Sequence, residues 1–230
     1  MSAVARWKEL CMDTTGGETL GRFWADVLGL EFQPDEESGN VVGSAEGQGI
    51  AMCRVPEAKT VKHRVHLDVY TASVDDLVAR GASVVLPASE SGFSWDVLAD
   101  PEGGEFCAFR RSADELPAYR LYELNVDAAD AEHIARWWGD VLGVEAKTAE
   151  GQDWWWLEGV PDVPFECIVF APVPEPKTVK NRIHWDLRST VEEMQAAGAT
   201  LLRSRDDEIS WDVMADPEGN EFCVFDRLPS

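Results

Sequence analysis

Two stretches of this chain are written twice, and that duplication limits the possible folds more than any other feature. Residues 57–68 read EAKTVKHRVHLD and residues 175–186 read EPKTVKNRIHWD, so Glu, Lys, Thr, Val, Lys, Arg, His and Asp return in the same places. Further on, WDVLADPEGGEFCAF at 95–109 returns as WDVMADPEGNEFCVF at 211–225, with 12 of 15 positions identical. The offsets of 118 and 116 residues are too long for a solenoid unit and suit a whole domain. Weaker echoes complete the repeat: FWADVLGLE at 23–31 with WWGDVLGVE at 137–145, and KEL at 8–10 with YEL at 122–124. Four blocks recurring in one order indicate tandem duplication. The expected domains are 1–112 and 120–230, joined by a polar linker, 113–119, that carries Pro117.

Within each half, the hydrophobic period changes in a regular way. ARWKELCMD at 5–13 alternates as a strand does, and GGETLGRFWADVLGL then places Leu20, Phe23, Trp24, Val27 and Leu28 at helical spacing. Thr19 is the expected cap of that helix and Gly29 its end. Polar residues 34–49 suggest a short hairpin, and GIAMCRV at 49–55 another strand. RVHLDVY at 64–70, the amphipathic SVDDLVARGA, SVVLP, FSWDVLA and EFCAFRR continue the series. Each half therefore reads as two successive β-α-β-β-β units, an α+β architecture.

Composition narrows the partners. Acidic residues outnumber basic ones 43 to 20, and a net charge of −23 repels phosphate backbones and anionic headgroups, so neither nucleic acid nor membrane is expected. No run approaches the roughly 20 apolar residues that span a bilayer, and MSAVARWKELCMD lacks a signal-peptide core. The cytoplasm is the expected compartment. Five cysteines without C-x-x-C spacing point to reduced thiols rather than disulfides or a zinc knuckle.

A strand, a helix ending in F/W-W-x-D-V-L-G, a strand with H-x-D before an acidic helix, and W-D-V-x-A-D-P-E-G-x-E-F-C together resemble the glyoxalase / bleomycin-resistance / dihydroxybiphenyl-dioxygenase group, the vicinal oxygen chelate superfamily. The resemblance covers nearly the whole chain, twice. It implies two tandem glyoxalase-like domains, each of two βαβββ modules whose strands curl into a mostly antiparallel mixed sheet with helices on its outer face. It also implies up to four metal ligands on the inner wall. Counting 14 residues back from Phe23 and from Trp137 reaches Glu9 and Glu123, and His66 and His184 match the opening of each second module. At the closing position, where metal-dependent members commonly carry glutamate, stand Cys107 and Cys223. The position before Pro56 or Pro174 falls near Met52 and Cys53 in one half and Phe170 and Ala171 in the other.

The implied sets are thus Glu9, His66 and Cys107, and Glu123, His184 and Cys223, although modules of this family also pair across a dimer. Imidazole, thiolate and carboxylate suit a zinc-like ion. Against that stand the incomplete sets and the many tryptophans. In a strand Trp154 and Trp156 point one way and Trp155 the other, and Trp95, Trp185 and Trp211 add further rings. An indole-walled cup favours flat aromatic or cationic ligands. The expectation is therefore a glyoxalase/bleomycin-resistance-like protein binding a small, aromatic organic molecule in Trp95, Trp154, Trp155, Trp156, Trp185 and Trp211, with no obligatory cofactor. The alternative is a divalent-metal lyase, isomerase or dioxygenase acting on vicinal oxygens. A homodimer stays open. The DPEG and DPEGN turns read as structural, and KTVK at 59–62 and 177–180 as a solvated approach to the strand.

Overall fold

The computed structural model describes residues 3–16 and 18–227. The first module runs β1 (Arg6–Thr14), α1 (Glu18–Leu28), β2 (Glu31–Gln33), β3 (Asn40–Val42) and β4 (Ile50–Arg54). The second runs β5 (Val65–Thr71), α2 (Val74–Ala79), β6 (Ser83–Leu86), α3 (Ala88–Ser91), β7 (Asp96–Ala99) and β8 (Glu105–Arg110). The third is shorter, with β9 (Leu121–Ala128), α4 (Ala131–Leu142), β10 (Trp155–Glu158) and β11 (Cys167–Pro172). A single Lys147–Trp156 bridge stands where the first module has an additional strand. The fourth comprises β12 (Ile183–Arg188), α5 (Val191–Ala196), β13 (Thr200–Arg203), β14 (Asp212–Ala215) and β15 (Glu221–Phe225).

Helical periodicity sets the helix faces. In α1 the buried residues include Leu20, Phe23, Trp24, Val27 and Leu28, one apolar stripe against the sheet. The helix already includes Thr19, which corrects its expected role as cap, and Gly29 follows it with φ 74°. In α4 the Asp130 carboxylate accepts from the His133 amide at 3.0 Å, a side-chain cap. Strand β5 is buried at every position, as a central strand must be when helices cover one face and a cup the other.

The pairing of modules corrects the expectation that each half closes its own cup. Sheet 1 has the order β13-β14-β15-β12-β1-β4-β3-β2, and sheet 2 the order β10-β11-β9-β5-β8-β7-β6. The first module joins the fourth through antiparallel β1 and β12, and the second joins the third through antiparallel β5 and β9. Each cup therefore takes one module from each half. Glu9 lies in sheet 1, whereas His66 and Cys107 lie in sheet 2.

The duplicated KTVK segments bind the two halves together. Lys59 and Lys177 pair with Glu105 and Glu221 at 2.8 and 2.7 Å, while Lys62 and Lys180 reach Asp127 and Asp13 of the opposite half at 2.7 and 2.6 Å. Lys62 and Lys180 are half exposed, as a solvated approach to the strand implies, and the structure adds the ion pairs. Arg64 donates to the Glu175 and Asp127 carbonyls, and Arg182 to those of Glu57 and Asp13. Both Glu102 and Glu218 accept from backbone amides of the opening module, Thr15 and Gly16 in one case and Ala129 and Asp130 in the other, and Arg182 also meets the Glu102 carboxylate at 3.2 Å. Arg182→Ala is therefore expected to lower unfolding free energy by about 2 kcal/mol, and Arg64→Ala by about half that. Urea melts of the two variants read the difference, and equal losses would remove the role given to Glu102.

The acidic turns are structural. Asp100 accepts from the amides of Glu102 and Gly104 at 2.9 and 2.8 Å, and Asp216 from those of Glu218 and Asn220 at 2.9 Å. Gly103 and Gly219 take φ of 81° and 83°, values that a side chain would strain.

Candidate functional site

Strand register builds the floor of the cup on sheet 2. Cys167 of β11 lies opposite Glu123 of β9, Glu123 opposite Asp68 of β5, and Asp68 opposite Cys107 of β8. Because side chains two apart share a face, His66 lies beside Asp68 on the same wall, and Asn125, its partner on β9, faces the cup as well. A bulge in β9 between the partners of Asp68 and Val69 turns the consecutive Tyr122 and Glu123 both toward the cup. Above this floor is a cavity of about 1040 Å³.

Aromatic side chains form the walls. Trp95 stacks between Phe93 at 4.7 Å and Phe109 at 5.3 Å, and Trp154 and Trp156 lie 5.0 Å apart on the opposite rim. Trp155 is on the helix side of β10, with the Arg136 guanidinium 4.7 Å from its ring. Trp185 is 2% exposed and packs edge-on against Trp138 of α4. These positions correct the expectation that Trp155 and Trp185 line a cup. Strand alternation explains both, since Trp155 lies between the inward Trp154 and Trp156, and Trp185 between the inward His184 and Asp186. Trp211 stacks on Phe225 at 5.6 Å in sheet 1.

The floor is buried and unusually charged. His66 Nε2 is 3.5 Å from Asp127 and Nδ1 is 3.7 Å from Asp68, beyond hydrogen-bond length. Burial would lower the His66 pKa, but Asp127 and Asp68 outweigh it and hold the imidazole protonated well above its ordinary range. Burial, and then the neighbouring Asp68 charge, push Glu123 up to about 8, so at neutral pH it keeps its proton. Burial also raises the thiols, Cys107 to about 11 and Cys167 well upward, and neither is poised as a nucleophile. Cys167 Sγ donates to Glu123 at 3.2 Å.

The same floor fits a metal ion by its donors. One atom each from His66, Asp68 and Cys107 lies within 4.8 Å of the others. Both His66 nitrogens and Asp68 Oδ1 are buried without a hydrogen-bond partner among the described residues. His184, Asp186 and Cys223 form the corresponding group in sheet 1.

Sheet 1 differs from sheet 2 in one respect that changes its chemistry. Lys8 stands where sheet 2 has Tyr122, at the matching bulge of β1, and its ammonium bonds to Glu9 and lies 3.2 Å from Asp186. A cation belonging to the chain already sits among those carboxylates. Nearby, Cys11 and Cys53 bring their sulfurs to 2.9 Å; the corresponding residues in sheet 2 are Asn125 and Ala171.

The inferred ligand positions are therefore regrouped. Glu123 joins His66 and Cys107, and Glu9 joins His184 and Cys223, each pair of strands crossing from one half to the other. Sequence reasoning missed Asp68, Asp186, Tyr122, Asn125, Asp127 and Cys167. The H-x-D motif could have signalled Asp68, since the aspartate shares its histidine's face. Cys167 had no such signal, because loop lengths before β11 hide its register.

A sequence profile described as the glyoxalase-like domain matches residues 9–109 and 123–225. Among solved structures, glyoxalase I from Zea mays aligns with a TM-score of 0.65 at 13% identity, covering 96% of this chain and 92% of that one. A Bacillus subtilis subsp. subtilis str. 168 protein provisionally named a dioxygenase aligns with a TM-score of 0.63 at 12% identity, covering 100% and 87%. At these identities the likeness establishes the fold alone. No match is found among curated proteins. No helix among the described residues is long and apolar enough to cross a membrane.

Proposed function

The chain belongs to the glyoxalase-like domain family, and from that premise we propose that the cup on sheet 2 binds a small aromatic organic molecule between its tryptophans, without an obligatory metal. The observation that carries this reading is the cavity of about 1040 Å³ with Phe93, Trp95 and Phe109 on one rim and Trp154 and Trp156 on the other. Its volume suits a drug-sized ligand, and aromatic rings on two rims favour a flat one. The floor would then orient the ligand's polar groups through Glu123, Asp68 and His66.

Intrinsic tryptophan fluorescence of chelator-treated, desalted protein tests the reading against a panel of fused-ring aromatics. Saturable quenching is expected, and Trp154→Ala or Trp156→Ala should weaken binding by about tenfold, the loss of one stacked ring. Fluorescence unmoved across the panel would end the proposal.

A second reading rests on the unpartnered atoms of His66 and Asp68. A divalent ion would be held by His66, Asp68 and Cys107, with Glu123 beside them, and would supply Lewis-acid polarisation of vicinal oxygens. Glu123, whose pKa is pushed to about 8, would hold or release a proton next to such a substrate. Incubation with manganese, iron, cobalt, nickel and zinc, followed by desalting and elemental analysis, tests it. Retention abolished by His66→Ala is the expected result, and a His66→Ala protein that keeps its metal rejects this ligand set.

A further inference from the structure

Sheet 1 holds a cation of its own among acidic and aromatic side chains. The Lys8 ammonium bonds to Glu9, lies 3.2 Å from Asp186, and sits 4.2 Å from the centre of the Phe225 ring, on which Trp211 stacks. A carboxylate pair on one side and an aromatic face on the other is how a buried ammonium is satisfied. With its side chain 19% exposed, Lys8 is lodged in the wall rather than extended into solvent.

Sheet 2 repeats each of those partners and omits the cation. Glu123 stands for Glu9, Asp68 for Asp186, Phe109 for Phe225 and Trp95 for Trp211, at the same strand positions. The residue in place of Lys8 is Tyr122, whose ring stacks on Tyr70 at 4.6 Å and meets Phe109 edge-on at 5.0 Å. The Asp68 side chain is 3% exposed and lines the cavity; its Oδ1, 3.7 Å from His66 Nδ1, has no hydrogen-bond partner among the described residues, as Asp186 Oδ1 has none in sheet 1. His66 is common to both sheets, since its counterpart His184 lies 3.6 Å from Asp13 in sheet 1 as His66 lies 3.5 Å from Asp127 in sheet 2.

We propose that the molecule bound on sheet 2 is an organic ammonium ion. Its head lies between Glu123 and Asp68 against the Phe109 ring, and its aromatic body lies between the tryptophans. The inference rests on the aromatic-ligand reading above and names the chemical class of that ligand.

Isothermal titration at neutral pH with naphthylethylamine and its neutral counterpart naphthylethanol separates the two. The amine is expected to bind at least about tenfold more tightly, the equivalent of one partly buried ion pair with a cation–π contact. Asp68→Asn should erase that preference while both compounds still bind. Tyr122→Lys should lose the amine through self-occupation by the new side chain, and its retained melting temperature would separate this from misfolding. Equal binding of amine and alcohol by the natural protein overturns the ammonium inference and leaves the aromatic reading standing. An amine preference that survives both Asp68→Asn and Glu123→Gln also overturns it. Binding of neither compound overturns both.

Discussion

Trp138→Ala is expected to remove about 3 to 5 kcal/mol from the stability of the fold, the range for deleting a fully buried large side chain. Trp138 is 1% exposed and packs edge-on against Trp137, Trp185 and Phe222, which ties α4 to the outer face of sheet 1. Its indole nitrogen also donates to Asp216 at 3.1 Å. The alanine variant would leave a cavity among three rings and remove one of the four hydrogen bonds to the buried Asp216 carboxylate. Trp138→Phe separates the two effects. It keeps most of the packing and removes only the donor, at about 1 to 2 kcal/mol. Burial already raises the Asp216 pKa, and loss of the indole donor would raise it further. A raised carboxylate favours folding below its unfolded value and loses that contribution as pH climbs, so the cost of Trp138→Phe should grow from acid to neutral pH. Denaturant melts at several pH values test both variants, and a Trp138→Ala protein within about 1 kcal/mol of the parent would contradict the packing described.

Glu123→Gln should do the opposite and stabilise the protein, by an amount that grows as pH rises from about 4.5 to about 8. The unfolded carboxyl ionises near its ordinary value of 4.5, whereas burial and the Asp68 charge hold the folded one at about 8. Between those values the unfolded state has lost a proton that the folded state keeps, so natural stability falls as pH rises across that window and levels off above it. Glutamine has no proton to lose. The two proteins should match near pH 4 and diverge until the variant leads by about 3 kcal/mol near pH 9, discounted for the residual exposure of Glu123. A constant difference across the range would mean that Glu123 and Asp68 do not oppose one another.

The sequence disclosed the elements and the inward positions more readily than it disclosed their neighbours. Alternation along β10 correctly separated Trp154 and Trp156 from Trp155, because a strand's two faces are decided locally. The same rule, applied to H-x-D, would have turned Trp185 outward; counting rings without asking which face their neighbours needed hid that. Cross-pairing of modules could not be read, because β5 has the same pattern whether it meets β1 or β9. Lys8 and Tyr122 were hidden by the bulges in β1 and β9, which bring an expected outward residue into the cup. The duplicated KTVK was legible as a pattern, but its second lysines, Lys62 and Lys180, find acids in the other half at a separation no local reading reaches.

The exchange of modules also gives the two sheets different life histories during synthesis. Every strand of sheet 2 lies between Val65 and Pro172, one uninterrupted length of chain, whereas sheet 1 must unite Arg6–Arg54 with Ile183–Phe225. Its closing loop spans the whole of the other sheet, and such distant contacts form slowly. A chain growing from its N-terminus therefore has all the strands of the aromatic cup in hand while the partners of β1 are still to be made. Pulse-labelled hydrogen exchange on ribosome-bound chains arrested shortly beyond Pro172 should find amides of β5 and β9 protected before those of β1. The nascent N-terminal module would wait, with one edge unpaired, for the C-terminal module that completes sheet 1.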